Sequence, residues 1–166
     1  MKAISDSTPL IHLSKIGCIN FLKDLFEEII IPEEVYNEII VKGKEQGKNE
    51  VFLIENLIEE EFIKIRETNS TMEVTNLDKG EKECILLCKE LRINNLLIDE
   101  KKGFSIANMF NITPIRTTSI LLILLDKNII NFNKYKELLR KLSESGYFLD
   151  IKTYEKLLSI GENINK

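Results

Sequence analysis

Two carboxylates in this sequence stand directly after short apolar runs: Asp6 follows "KAIS", and Asp99, with Glu100 beside it, follows "NNLLI". If those runs are parallel strands, both places are strand carboxyl ends, the edge at which open parallel sheets form their ligand crevice. Two acids on helical segments could join them, Glu38 in "VYNEII" and Glu83 at the front of "EKECILLC". Several carboxylates in one pocket repel one another unless they are protonated or neutralised by a cation. Mg²⁺ or Mn²⁺ suits an all-oxygen site and keeps water molecules that can attack a phosphorus centre. Taken singly, each acid also has an ordinary reading: a helical Glu is mostly solvated, and Asp6 is placed to cap the helix that follows it.

The elements that must position these acids can be read along the chain. "KAIS" reads as a strand ending at Asp6 and Ser7, and a helix begins near Thr8 and Pro9, where a hydroxyl caps and proline fits the first turn. "CINFLKDLF" has helical spacing, "EEIIIP" is a strand closed by Pro32, and "PEEVYNEIIVKGK" is a helix with Val35, Ile39 and Ile40 on one face. "GKNEVFLIENLIEE" is helical and "EFIKIRE" alternates like an edge strand. "NLDKGEKECILLCKELR" is a helix with Ile85, Leu86, Cys88 and Leu91 inward, and "NNLLIDE" is a buried strand that stops at acids. "KKGFSIANMF" (helix), "NITPIRT" (strand) and "TSILLILLDKN" (helix) precede two closing helices, "FNKYKELLRKLSES" and "DIKTYEKLLSI". The alternation predicts an α/β layer fold with a mainly parallel sheet.

The bulk numbers narrow the class. A chain of 166 residues, 43% of them apolar, suits one domain with a substantial core. Its longest apolar segments are broken by charge before the roughly 20 residues needed to cross a bilayer. The start of the chain lacks the pattern of a secretory signal, so a cytoplasmic protein without membrane contact is expected. Cys18, Cys84 and Cys88 suit reduced, buried thiols; a zinc reading of Cys84 and Cys88 lacks a partner at ligand spacing, His12 being the only histidine. A net charge of −4 argues against a surface that attracts nucleic acid everywhere, and leaves room for a local basic patch. There is no Gly-rich phosphate loop, and "DSTPL" lacks the second aspartate that a phosphatase with Asp6 as nucleophile would place two residues on.

Together, "ISDSTPLIHLSKIG", "IIIPEEVYNEI", "GEKECILLCKEL" and "LLIDEKKGFSIANMFNITPIRTTSILL" resemble the PIN-domain superfamily, in particular its branch of small prokaryotic PIN-like proteins. Each block alone is weak; their order and co-occurrence, from the first strand to the helix after Thr117, carry the resemblance. It implies a three-layer α/β/α sandwich with a central, mainly parallel sheet, forming one PIN-like domain over residues 1–166 with closing helices from about 131. It also implies a ribonuclease dependent on Mg²⁺ or Mn²⁺, and many such proteins are toxins of toxin–antitoxin pairs.

By motif, Asp6 matches the acid ending the first strand, with Ser7 as a supporting hydroxyl, and Glu38 matches the acid in the helix after the "IP" turn. Glu83 matches the acid opening the "GEKE" helix, Asp99 or Glu100 the acid after the later strand, and Thr117 a hydroxyl near the site. The implied metal ligands are Asp6, Glu83 and Asp99 or Glu100, with Glu38 as a further ligand or a water-positioning group. Two departures stand out. Glu100 has a longer reach than the usual Asp, and Arg116 stands where relatives often have Gly, able either to bind a phosphate or to neutralise carboxylates. Lys101, Lys102 and Arg116 are candidates for RNA phosphates. Lys134, Lys136, Arg140 and Lys141 are either further contacts or a solvated helix face. The helices after residue 117 either form an interface, with an antitoxin or in a homodimer, or complete the domain's own core. The competing functional class is a PIN-like scaffold that binds RNA or a protein partner with little catalysis; an Arg116 or Lys101 salt bridge filling the acid pocket would favour it.

Overall fold

In the computed structural model, which describes residues 1–165, strands and helices alternate from the start. β1 (Lys2–Ser5) runs into α1 (Ser7–Lys15), and a short 3-10 turn at Ile19–Phe21 leads through α2 (Leu22–Leu25) to β2 (Glu28–Pro32). From Pro32 a helical stretch passes through α3 (Glu33–Tyr36), a π turn at Asn37–Val41 and α4 (Lys42–Glu45). Then come α5 (Val51–Glu59), β3 (Ile63–Arg66), α6 (Lys79–Leu91), β4 (Asn95–Leu97), α7 (Lys101–Met109) and β5 (Thr113–Ile115). The helices α8 (Thr117–Asp126), α9 (Phe132–Glu144) and α10 (Ile151–Ile164) follow the last strand. Among the described residues no helix is long and apolar enough to cross a membrane.

The five strands are parallel throughout, in the order β3-β2-β1-β4-β5. Ile4 of β1 pairs with Ile30 of β2 on one side and with Leu96 of β4 on the other. The chain lays β2 and β3 outward from β1, then returns past it to add β4 and β5 in the opposite direction. Right-handed crossovers made in opposite directions fall on opposite faces. Thus α6 packs on β1, β2 and β4 with α7 beside it, while α1 and α5 take the other face and α8 and α9 pack on α1. This is the three-layer α/β/α sandwich expected from the sequence.

Covering on both faces explains why the central strands read as unbroken apolar runs. Ala3, Ile4, Ile29, Ile31, Leu96 and Leu97 are fully buried. At the margin the covering ends: Ile63 is buried, but Ile65 on the same face and Arg66 on the other both reach solvent, so this edge strand is covered only at its start. Leu91, expected to face the core, is instead 40% exposed because α6 stops there. The three cysteines are buried, and the Cys84 thiol donates to the Ser5 carbonyl at 3.4 Å, joining α6 to β1. Tyr135 is fully buried, and its hydroxyl donates to the Leu157 carbonyl at 2.9 Å, tying α9 to α10.

Two local features hold the carboxyl edge of the sheet. α6 starts in a capping box: the Asp78 side chain accepts from the Glu81 N–H at 2.9 Å, and the Glu81 side chain accepts from the Asp78 N–H at 3.3 Å. α7 approaches α6 closely through Gly103, where a Cβ would lie 2.8 Å from Glu81 Oε1 and closer still to Ile98 Cδ1. Gly103→Ala should therefore destabilise the fold by about 1–3 kcal/mol through overpacking. Urea unfolding checks this, and an unchanged midpoint would show that α7 moves aside without cost.

Candidate active site

The strand order reverses between β1 and β4, and ligands of such sheets bind beyond the carboxyl ends of the strands at that point. The Asp6 N–H donates to the Leu97 carbonyl at 2.9 Å, which locks the two strand ends side by side. Asp6 itself is only 5% exposed. It occupies the N-cap position of α1, yet its side chain makes no capping hydrogen bond, so the ordinary role for this residue is not realised. Burial pushes its carboxyl up to about 7; the Ser7 N–H pulls it down in part, while the negative charges of Asp78, Glu38 and Glu81 push it further up. A Cβ on Gly80 would lie 3.6 Å from Asp78 Oδ1 and 3.7 Å from Asp6 Oδ1, so both carboxylates border the first turn of α6.

Glu81 is the second buried acid, 4% exposed. Its Oε2 serves the capping box, and its Oε1 is buried without a hydrogen-bond partner. Burial raises its carboxyl, the charge of Asp78 adds to this, the hydrogen bond from the Asp78 backbone opposes it, and Glu100 raises it again against a partial offset from Lys102. Glu81 thereby connects the acids around Asp6 with Glu100 at the start of α7. Glu38 lies in the π turn, half-buried, and is one of the charges that Asp6 feels.

Glu83 is placed differently. Two residues along a helix turn a side chain by about 200°, onto nearly the opposite face. Glu83 Oε2 accepts from the Glu34 N–H at 3.4 Å, and Oε1 lies 3.8 Å from the Lys79 ammonium. With Glu33, Glu67 and Thr68 it lines a small cavity of about 180 Å³. The structure therefore groups Glu81 and Asp78 with Asp6, two residues that sequence reasoning missed, and seats Glu83 among Glu34 and Lys79. The signal was present: "DKGE" has capping-box spacing, which makes Asp78 the N-cap and puts Glu81 in the first turn.

The two acids after β4 also separate. Asp99 Oδ1 accepts from the Thr117 N–H at 2.9 Å and the Tyr147 hydroxyl at 2.8 Å, and Oδ2 accepts from the Thr117 hydroxyl at 2.6 Å. It ties β4 to the start of α8 and to the segment after α9. Burial, then the charge of Asp99, pushes the Tyr147 hydroxyl well above its ordinary range. His12 meets the Tyr147 ring edge-on at 5.1 Å; burial lowers its imidazole, with Asp99 opposing. Thr117 is fully buried and committed to Asp99, while Glu100 is exposed and faces Glu81.

The remaining candidates are easily placed. Ser7, beside Asp6, begins α1. The Arg116 guanidinium lies 4.5 Å from the Phe104 ring centre, with its Nε buried and unpartnered. Lys101 and Lys102 are exposed in the first turn of α7. On α9, Lys134 and Lys141 pair with Glu137, Arg140 pairs with Glu144, and Lys136 lies over Phe132.

As placed, no three His, Cys, Asp or Glu side chains among the described residues stand close enough to hold one ion between them. The donor chemistry still fits a hard divalent cation. The donors are all oxygens, and one of them, Glu81 Oε1, is buried and unpartnered. Among the described residues no Lys or Arg is ion-paired to Asp6, Glu38, Glu81 or Glu100.

Asp6 carries a measurable pH signature in the metal-free protein. Unfolded, it releases its proton near 3.8; folded, it keeps it to about 7. Between those values the folded state binds the extra proton, so this residue's contribution falls as pH rises and is fully lost above 7, by up to about 4 kcal/mol. Asp6→Asn should raise the melting temperature in EDTA at pH 8 and leave it unchanged near pH 3. Equal effects at both pH values would show that the carboxyl is not perturbed.

A family model described as a PIN domain matches residues 2–162. No curated protein and no solved structure gives a significant match. PIN domains are a nuclease-type fold and generally use divalent metal ions. The parallel sheet and the acids at its reversal point agree with the match, which spans nearly the whole chain: this protein belongs to the PIN-domain family.

Proposed function

We propose that this protein is a metal-dependent ribonuclease that hydrolyses RNA phosphodiesters in the crevice beyond β1 and β4. The observation that carries this reading is a set of acids without ion-pair partners: Asp6 and Glu81 are buried, feel the charges of Asp78, Glu38 and Glu100, and have no cationic side chain paired to them among the described residues, Lys102 offsetting Glu81 only in part. Asp6 and Glu81 would hold Mg²⁺ or Mn²⁺, with Glu100 and Glu38 reaching in from the start of α7 and from the π turn. When bound, the ion supplies a water of lowered pKa and neutralises charge at the phosphate.

The chain's own groups do the rest. Asp78 holds both the backbone and the carboxylate of Glu81 through the capping box. Asp99, fixed by Thr117 and Tyr147, steadies the strand end from which Glu100 projects. Lys101, Lys102 and Arg116 place positive charge for RNA phosphates along the start of α7 and beside Phe104. No side-chain nucleophile is needed, and His12 is occupied by its contact with Tyr147. We also read the protein as the toxin of a cytoplasmic toxin–antitoxin pair, a role that family membership motivates.

A second reading, RNA binding without turnover, draws on the spacing of the acids, no three of which stand close enough to share one ion. One assay separates the two: cleavage and retention of a mixed single-stranded RNA pool with Mn²⁺ or Mg²⁺, beside an EDTA control. Asp6→Asn and Glu81→Gln should lower cleavage by at least roughly a hundredfold, more than loss of an outer partner of a metal site usually costs. Glu83→Gln should stay near the wild-type rate. Retention without cleavage under either ion would establish the second reading, and neither would remove both.

A further inference from the structure

A cavity of about 690 Å³ lies away from the acids beyond β1 and β4, on the α6 face of the sheet, where that helix ends. Its floor carries Glu28 and Ile30 of β2 and Lys64 and Arg66 of β3, with Lys2 of β1 at one end. Alternation along a strand puts Lys64 and Arg66 on the same face. α6 packs against β1, β2 and β4, and β3 lies at the edge beyond them. The wall is the last residue of α6 and the turn after it, Leu91 to Asn95.

The charge of this cavity opposes that of the chain. Four cations and one carboxylate line it, in a protein of net charge −4. Glu28 is already engaged, by Lys2 and by Lys64, each at 2.7 Å. Among the described residues the guanidinium groups of Arg66 and Arg92 have no acid within salt-bridge distance. Arg92 ends α6 with φ at 55°, a left-handed conformation that Gly or Asn adopts more readily. Beside these cations Leu91 is exposed and Ile93 half-exposed, an apolar surface next to a positive one. Asn95 donates to the Lys2 carbonyl at 3.0 Å, and Asn94 lines the same space.

We propose that this cavity is a nucleotide-binding site, with Arg66 and Arg92 taking the phosphate and Leu91 and Ile93 the base. Its volume lies within the roughly 300–1,000 Å³ usual for small-ligand sites, and two planar guanidinium forks match the geometry of phosphate oxygens. The phosphate belongs either to a free nucleotide or to the 5′ end of an RNA chain, and the recognition is the same for both. The site lies apart from the acid crevice and needs no cleavage to operate.

Calorimetry in EDTA tests it with three probes: 5′-AMP, inorganic phosphate and a 5′-phosphorylated RNA dinucleotide. The wild type should bind AMP more tightly than phosphate, and the variant carrying Arg66→Gln and Arg92→Gln, checked for folding by circular dichroism, should bind AMP roughly tenfold or more weakly. Arginine-dependent binding of AMP or of the dinucleotide supports the site, and the tighter of the two identifies the source of the phosphate. No binding to the wild type, equal affinity for phosphate and AMP, or loss of binding in Asp6→Asn but not in the arginine variant would each overturn it.

Discussion

Negative charge packed into a dry place is the constraint on which the rest of this structure depends. The first strand ends in a carboxylate that burial and three acidic neighbours push toward its neutral form. Packing that would relieve it, a lysine or arginine drawn onto Asp6, is absent among the described ion pairs, although lysines are plentiful on the surrounding helices. Instead the fold holds the acids in place with neutral means. The capping box sets Glu81, a glycine lets α7 close over it, and a backbone hydrogen bond joins the ends of β1 and β4. Such an arrangement costs stability by itself, because burial and like charges both disfavour the ionised carboxyls.

The two aspartates at the strand ends show how differently the same residue type can be used. Asp99 is met by three donors and both its oxygens are occupied. Charge-assisted hydrogen bonds of this kind are strong and fix geometry, and this one joins a strand, the start of a helix and a distant tyrosine. Asp6 makes no capping hydrogen bond, is eased only in part by the Ser7 N–H, and sits among like charges. One carboxylate holds parts of the architecture together, and the other is not used that way. The same division separates Glu83, whose oxygens face Lys79 and a backbone N–H, from Glu81, whose Oε1 has no hydrogen-bond partner.

The fold was largely legible because its signals are local. Runs such as "IIIP" and "LLI" are too short and too uniformly apolar for amphipathic helices, and their alternation with capped helices leads to a parallel sheet. Asp6, Asp99 and Glu100 stand out for the same reason, as acids that end such runs, and the run alone does not say which of the last two faces the other acids. What could not be read was phase and distance. Glu81 and Glu83 differ only by where the helix begins, so two residues of uncertainty at its start exchange their faces. Tyr147 lies 48 residues from Asp99, and no local pattern announces that bond. Leu91 fits the apolar face of α6 by period alone; only the end of the helix explains its exposure.

The π turn at Asn37–Val41 makes the bearing of Glu38 a matter of counting. A π turn holds one residue more than the α turn it replaces, and one residue is worth about 100° of rotation. Val35 before it and Ile39 and Ile40 within it are all buried, so both flanks are anchored in the core. Shortening this stretch by one residue would return the backbone to regular α geometry and swing either those anchors or the carboxylate out of line. Chain length here is thus as binding as chemistry: relatives that keep an acid at this place should tolerate many substitutions around it, but not an insertion or a deletion.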